Sequence, residues 1–230
     1  PRVDLSRLFP DAAITWLQRN GAEVSLGTRV QQLGRDGDGW TLSTDHTTQR
    51  FDQVIIATAA PNAQALLAPL DPSLASALEF QHAPITTCYL QYNDSVHLPT
   101  PMLALRDDPE QNTWGQYVFD RGQLDSTHAG LLAVVISDAS AATTLSHSAL
   151  EQYVADQLAR ALQMPVLSNP VWSKTITEKR ATFVCSPNLK RPPNATAHPG
   201  LWLAGDYTES EYPATIEGAV RSGLNAAAKF

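Results

Sequence analysis

The chain has 230 residues, of which 43% are hydrophobic and 17% charged, so it can bury a core and has the composition of a soluble globular protein of one or two domains. Its formal net charge of −7 excludes nucleic acid as a partner, because duplex binding depends on Lys and Arg at phosphates. No apolar run approaches the ~20 residues of a membrane span, and the first residues lack the pattern of a secretory signal. We therefore expect a cytoplasmic protein, or one held peripherally at the inner face of the membrane.

The residues that most often bind metals show no metal pattern. Cys88 and Cys185 lie far apart, which favours two reduced thiols in a reducing compartment. The six histidines are scattered, with no pair at metal-ligand spacing. The sequence therefore predicts no metal site.

The first quarter of the chain predicts a helix followed by short strands. The helix carries Ile14, Trp16 and Leu17 and ends at Asn20-Gly21, since glycine readily takes the left-handed conformation after a helix. Alternating segments separated by turn residues, Gly37-Asp38 among them, predict a small antiparallel meander. The continuous apolar run that follows is typical of a strand buried on both faces of a parallel sheet. The predicted strands cover residues 23–26, 28–33, 40–44, 47–51 and 53–58.

The middle of the chain predicts two short helices, a group of strands, a long helix and a long strand. Asp71 is the predicted N-cap of the second short helix, with Pro72 at its first position. Residues 148–151 have capping-box spacing and begin the long helix, whose apolar stripe includes Leu150, Val154 and Leu158. The predicted strands cover residues 85–92, 102–106, 114–119, 130–137 and 171–184.

The last thirty residues predict a buried strand that ends at Gly205-Asp206, a loop, and a helix that begins at Pro213. One helix face carries Ile216, Val220, Leu224 and Ala227, and a second face carries the small residues Gly218, Ala219, Ser222 and Gly223. Glycine within a helix costs about 1 kcal/mol relative to alanine, so we expect a close backbone or a planar ligand at these glycines. The free N–H groups at the helix start would suit an electron-rich oxygen. An ordinary strand–loop–helix unit, with Asp206 as a cap or loop-ordering residue, remains the alternative.

Residues 203–208 (LAGDYT) and 213–223 (PATIEGAVRSG) resemble the C-terminal signature of the flavin amine oxidase and phytoene desaturase superfamily, and within it the squalene-associated branch of hydroxysqualene dehydroxylases. Weaker matches cover residues 1–10, 27–30, 54–58 and 178–183. The resemblance implies a mixed α/β fold with part of a Rossmann-like FAD-binding domain, including the β-meander, and a mixed-sheet substrate domain. It assigns residues 1–68 and 196–230 to the first domain and residues 69–195 to the second.

The resemblance also implies where FAD would bind. Val30 would contact the adenine end through its backbone, and Ala57 and Thr58 would lie near the cofactor at the end of the buried strand. Gly205 and Asp206 would meet the ribityl–pyrophosphate region. At the flavin edge it places Thr215 and Ile216, with the Ile216 N–H aimed at the C2 carbonyl oxygen.

One part of the family pattern is missing. The family begins with a strand, a Gly-x-Gly-x-x-Gly turn and a helix that hold the pyrophosphate, and this sequence has no such motif. We therefore expect an N-terminal FAD-binding segment as a partner, either as a separate polypeptide or as part of a longer product. Alone, the chain is expected to bind FAD weakly or not at all and to be inactive.

The activity implied by the resemblance is reductive dehydroxylation of hydroxysqualene to squalene in hopanoid biosynthesis. The alternatives are a related carotenoid desaturase or amine oxidase, and a non-catalytic remnant that binds lipid or a partner. The aromatic residues Trp114, Tyr117, Phe119, Trp172 and Phe183 are expected in the core, or along an apolar tunnel for a polyprenyl substrate. No catalytic acid or base is assigned: the charged candidates on the long strand, expected to be solvent-exposed, are Lys174, Glu178, Lys179 and Arg180.

Overall fold

The structure is a computed structural model that describes residues 3–229, and it divides into two compact units. One unit combines residues 3–24 with His82–Thr182, and the other combines Ser25–Gln81 with residues 183–229. Each unit contains helices and at least one sheet, which confirms the mixed α/β class. The predicted assignment of residues 1–68 and 196–230 to a cofactor domain, and of residues 69–195 to a substrate domain, stays a prediction.

The unit built from residues 25–81 and 183–229 contains two small sheets and three helices. Its three-stranded sheet is the predicted antiparallel meander of β1 (Gln32–Asp36), β2 (Gly39–Ser43) and β3 (Thr48–Phe51), in the order β1-β2-β3. Its second sheet pairs β4 (Val54–Ile56) with β10 (Leu201–Leu203) in parallel. The helices are α3 (Ala60–Leu67), α4 (Pro72–Ser76) and α6 (Ile216–Ala227).

The hairpin between β1 and β2 follows the predicted turn. Asp36 pairs with Gly39, so Gly37 and Asp38 form a two-residue loop. Gly37 has φ 57°, a left-handed conformation that glycine adopts without steric cost. The turn places Trp40 in the core, where its indole N–H donates to the carbonyl of Pro199 at 3.2 Å.

Asp71 caps α4, as predicted. Its Oδ1 accepts the Leu74 N–H at 2.9 Å, and its Oδ2 lies 2.9 Å from Nε2 of His198. The hydrogen bond from Leu74, followed by the one from His198, holds the pKa of the Asp71 carboxyl below its usual 3.8. The cap therefore joins α4 to the segment before β10.

The unit built from residues 3–24 and 82–182 contains a five-stranded sheet with the strand order β6-β7-β8-β5-β9. One sheet face packs on α5 through a core that includes Leu90, Val134, Val154 and Leu158. Two short helices, α1 and α2, precede the sheet in sequence. The elements are α1 (Leu5–Leu8), α2 (Pro10–Arg19), β5 (His82–Gln91), β6 (Met102–Ala104), β7 (Tyr117–Asp120), β8 (Leu131–Ile136), α5 (His147–Ala161) and β9 (Trp172–Phe183).

Several predicted boundaries are wrong. Residues 22–31 form no strand: Gly27 has φ 68°, which breaks an extended segment, and the first strand begins at Gln32. The long helix α5 is capped by Ser146, which accepts the Ala149 N–H at 3.2 Å, and not by Ser148, which lies inside the helix. Among the helices of residues 3–229, none combines the length and the apolar character of a membrane span.

Candidate functional site

The ends of β4 and β10 bring four of the predicted cofactor residues to one edge of a sheet. The strands are parallel, with Ile56 opposite Leu203, and the Ala204 N–H donates to the Ile56 carbonyl at 2.9 Å. Ala57 and Thr58 continue β4, and Gly205 and Asp206 continue β10. Because carboxyl ends of parallel strands share an edge, all four lie where open α/β sheets bind ligands.

A buried hydroxyl of α6 holds the turn after β10. The Oγ of Ser222 accepts the Gly205 N–H at 2.9 Å and the Asn194 amide N–H at 2.8 Å. It also lies 2.7 Å from the hydroxyl of Thr208, which donates to the Gly205 carbonyl at 2.9 Å. Ser222 and Thr208 are both buried. Each polar group has a partner, so the turn is fixed to the helix.

Gly205 lies directly against the ring of Tyr207. A Cβ at position 205 would be 2.3 Å from Cε1 of Tyr207, closer than any real contact. Tyr207 is buried, and its hydroxyl lies 3.4 Å from the Ile56 carbonyl. Burial raises the pKa of the Tyr207 phenol, with a smaller contribution from Asp206. Position 205 therefore requires glycine for packing within this chain.

Thr215 is the N-cap of α6, so the helix begins at Ile216 and not at the predicted Pro213. The Thr215 Oγ1 accepts the Gly218 N–H at 3.1 Å. A Cβ on Gly218 would meet the Pro213 carbonyl oxygen at 3.3 Å. The chain's own loop therefore accounts for the close approach expected at Gly218.

The two faces of α6 differ in exposure, and the face of small residues is the buried one. Gly218, Ser222 and Ala226 are buried, whereas Ile216, Val220 and Leu224 are 70%, 53% and 66% exposed. Small residues let the helix approach its own unit closely, and Ser222 finds polar partners there. The aliphatic side chains are left on the other side, and no atom lies within 4 Å of a Cβ built on Gly223. We call Ile216, Val220 and Leu224 the apolar face of α6.

Val30 and Thr58 line one cavity of about 670 Å³, whose other lining residues are Thr28, Arg29, Gln31, Asn62, Ala65 and Leu66. Two predicted cofactor residues that are distant in sequence therefore meet in space. One cation, two amides and small or aliphatic walls suit a nucleotide, since phosphates bind cations and a base needs apolar contact. The chemistry of this cavity fits part of FAD.

The sheet of the other unit has a second face, opposite α5, that is partly open: Met102 is 52% exposed, whereas Ala133 is buried. On it, Met102 pairs with Phe119, Phe119 with Ala133 and Ala133 with Tyr89, so one row of mostly apolar side chains crosses four strands. Beside the row, a cavity of about 890 Å³ is lined by Met102, Phe119, Val3 and Leu5, with Arg121 and other polar residues. We call this row the open sheet face.

The charged candidates on β9 receive no catalytic role from their positions. Lys174, Glu178, Lys179 and Arg180 are all exposed, as expected, and the Glu178 carboxylate accepts the Arg180 N–H at 2.9 Å. Two aromatic residues expected in the core are instead exposed, Tyr117 and Trp172, because they project from the side opposite α5. Sequence reasoning did not find Asn194, whose amide joins β10 to α6.

A family model described as "Flavin containing amine oxidoreductase" matches residues 7–229. The chain belongs to this family. Membership confirms the predicted superfamily and its flavin cofactor, FAD.

Several proteins resemble the chain over most of its length. The hydroxysqualene dehydroxylase of Zymomonas mobilis is 29% identical over 99% of the chain. A 15-cis-phytoene desaturase from an Oncidium hybrid cultivar is 24% identical over 88% of it. The cyclohexylamine oxidase of Brevibacterium oxydans has the same fold over 87% of the chain, with a TM-score of 0.66 and 18% identity.

The chain spans about half the length of the relatives it matches. The alignments cover 52% of the Zymomonas mobilis protein, 37% of the Oncidium desaturase and 47% of the Brevibacterium oxydans oxidase.

Proposed function

We propose that this chain is the C-terminal part of an FAD-dependent oxidoreductase that converts hydroxysqualene to squalene in hopanoid biosynthesis. The observation that carries the proposal is the edge where Ala57, Thr58, Gly205 and Asp206 meet, fixed to α6 through Ser222. The Zymomonas mobilis relative, named for the same reaction, supports the choice of substrate.

FAD would extend from the cavity at Val30 and Thr58 toward the edge formed by Gly205 and Asp206. Thr215 and Ile216 would lie at its flavin end, where the free N–H groups of α6 favour negative charge. When bound and reduced by an external two-electron donor, the flavin would supply hydride chemistry at this end of the site. The overall reaction would replace the C–O bond of the substrate by a C–H bond and release the hydroxyl, with one proton, as water.

The open sheet face would hold the polyprenyl chain of the substrate. Met102, Phe119 and Tyr89 provide apolar area, and burial of such area against a lipid is favourable by about 25 cal/mol per Å². Among residues 3–229 the structure gives no side chain a catalytic role, so the proposal assigns binding of the polyprenyl chain to these residues.

The apolar face of α6 would receive the N-terminal FAD-binding segment. Three exposed aliphatic residues on one helix face form an apolar patch that marks an interaction site. The relatives are about twice as long as the chain, and the sequence has no Gly-x-Gly-x-x-Gly turn. A segment that brings this turn would cover the face and complete the cofactor site.

Helices α1 and α2 would make the peripheral contact with the inner face of the membrane. Leu5, Leu8, Phe9 and Trp16 are each at least 57% exposed, and Arg7 and Arg19 could reach anionic headgroups. The protein would otherwise be cytoplasmic. Reduced sedimentation of a Phe9→Ser/Trp16→Ser variant with phosphatidylglycerol vesicles, at unchanged stability, is the expected result.

Three other functions remain to be separated by experiment. A carotenoid desaturase is favoured by the Oncidium relative, and an amine oxidase by the shared fold of the Brevibacterium oxydans enzyme. A non-catalytic lipid- or partner-binding remnant is favoured by the missing glycine-rich turn.

The test is a flavin fluorescence titration of the chain alone and of the full-length product that contains it. The proposal expects that the full-length product binds flavin and that the isolated chain does not. It also expects the full-length product to form squalene and water from hydroxysqualene and reduced flavin under anaerobic conditions. Formation of a desaturated carotene, or of hydrogen peroxide with an amine, would select one of the related enzymes. A full-length product that binds no flavin would favour the non-catalytic remnant that binds lipid or a partner.

A further inference from the structure

Arg191 lies in the segment between β9 and β10 and contacts the loop that connects β10 to α6, residues 206–212. Its Nη1 donates to the carbonyls of Asp206 at 3.1 Å and Tyr212 at 2.9 Å. Its Nη2 donates to the carbonyl of Ser210. One guanidinium therefore joins both ends of the loop and a point between them.

The shape of the guanidinium explains why arginine suits this position. It presents five N–H donors in a rigid plane, so that a single side chain can bind several carbonyl oxygens at once. Lysine has one nitrogen at the end of a flexible chain and would lose most of these bonds. The guanidinium also lies 5.7 Å from the centre of the Phe183 ring, which supports its position by a cation–π contact.

A second arginine fixes the end of the same loop from the helix. The Arg221 guanidinium lies 4.9 Å from the centre of the Tyr212 ring, and its Nε donates to Glu217 at 2.6 Å. Tyr212 is thus contacted from the preceding segment through its carbonyl and from α6 through its ring. Between Tyr212 and α6 only Pro213, Ala214 and the capping residue Thr215 remain.

The bonds of Arg191 determine which way the amide groups of the loop face. In a trans peptide the C=O of one residue and the N–H of the next point in opposite directions, and the loop has no cis peptide bond. With the Asp206 and Ser210 carbonyls directed at Arg191, the N–H groups of Tyr207 and Glu211 are directed away from it.

We infer that Arg191 is a positioning residue for the cofactor: it fixes the loop 206–212 so that Asp206 and the start of α6 are preorganised to bind the flavin dinucleotide. The inference rests on the proposed function, because it concerns the same edge of the sheet. Arg191 acts through the main chain of the loop.

The experiment compares Arg191→Gln with Lys190→Gln in the full-length flavoprotein. Both variants remove one positive charge from the same segment, and Lys190 is exposed. Loss of hydrogen bonds to a charged group predicts flavin binding at least about tenfold weaker in Arg191→Gln and unchanged in Lys190→Gln. Arg191→Lys should regain only part of the affinity. The midpoint potential of the residual bound flavin should also shift in Arg191→Gln.

Hydrogen exchange of this chain without flavin provides a second readout. The amides of residues 206–212 should exchange about tenfold faster in Arg191→Gln, and those of α5 at the wild-type rate. Faster exchange in α5 as well would show a general loss of stability and overturn a positioning role. Should Arg191→Gln fail to fold, Arg191→Lys takes its place, with a smaller change expected in the same amides.

The outcomes separate the two proposals. Wild-type protein that binds flavin, with Arg191→Gln binding equally well, overturns the role of Arg191 and leaves the proposed function standing. Wild-type full-length protein that binds no flavin overturns both.

Discussion

The hydroxyl of Ser222 on α6 lies 2.7 Å from the hydroxyl of Thr208, and both side chains are buried. Since Thr208 donates to the Gly205 carbonyl, Ser222 donates to Thr208 and accepts from Gly205 and Asn194. One serine therefore satisfies groups from two separate segments, the turn after β10 and the segment before it.

Removal of the Ser222 hydroxyl should lower the stability of the folded chain. Ser222→Ala leaves the Gly205 N–H and the Asn194 amide with a missing acceptor, so we expect a loss of about 2 kcal/mol in the free energy of unfolding. Urea denaturation measures it. Ser76→Ala, at an exposed position in α4, is the control and should change stability by less than about 0.5 kcal/mol. Equal effects of the two substitutions would contradict the network.

Replacement of two glycines of this region by alanine should have opposite effects on the stability of the chain. Gly205→Ala forces a Cβ into the Tyr207 ring and should destabilise the chain by about 3 kcal/mol, because the buried ring cannot move freely. Gly223→Ala meets no atom and should be neutral or stabilising by up to about 1 kcal/mol. Thermal unfolding of both variants gives the comparison, and a stable Gly205→Ala protein would show that the tyrosine is not fixed.

A negative charge introduced on the apolar face of α6 should weaken flavin binding by the full-length product without lowering the stability of this chain. Val220→Glu and Leu224→Glu should change the stability of this chain by less than about 0.5 kcal/mol, since both positions are exposed. In the full-length product the same variants should release flavin, because a buried unpaired carboxylate disrupts the docked segment. Asn225→Glu, at another exposed position of α6, is the control. Flavin retention in Val220→Glu would argue against docking on this face.

The two thiols should differ strongly in reactivity. Cys88 is buried, and burial raises the pKa of its thiol to about 11, whereas Cys185 is exposed. At about pH 8 a disulfide reagent should label one cysteine in the folded chain and both in denaturant. Cys185→Ser should abolish the fast reaction, and fast labelling of that variant would mean that the core around Cys88 opens readily.

The Asp71 carboxylate should contribute stability that depends on pH. Its folded pKa is lowered, so the contribution is present above the unfolded value of 3.8 and is lost as the pH falls through the lower folded value. Asp71→Asn keeps a capping oxygen and removes the charge. The variant should be less stable than wild type at about pH 7, and the difference should shrink below about pH 3. Asp94→Asn, at an exposed position, should show no such trend.

The elements that were predicted correctly are those that depend on residues close together in the sequence. The Gly37-Asp38 turn, the Asp71 cap and the buried strand at residues 54–56 were correct because each depends on neighbouring residues. The choice between Ser146 and Ser148 as a cap could not be made in this way, since both serines lie at the start of the same helical pattern and serine is a favourable cap at either position.

The partners of the small-residue face of α6 and the contacts of Arg191 could not be predicted for a different reason. The helix glycines predicted a close approach, but the polar partners of Ser222 lie in distant segments. Arg191 binds main-chain carbonyls, and because every residue has one, the sequence does not indicate which of them it binds. Of the predicted cofactor residues, the fold explains the proximity of Ala57, Thr58, Gly205 and Asp206, while their roles stay predictions.

The pairing of β4 with β10 also determines when this unit can fold. Val54 pairs with Leu201, and Leu201 leaves the ribosome only after all strands of the five-stranded sheet have been synthesised. During that interval β4 lacks the strand with which it pairs among residues 3–229, and its apolar side chains are available for aggregation or for a chaperone. Truncation of the last thirty residues would therefore remove more than a helix: it would leave the nascent unit without the strand that completes its core.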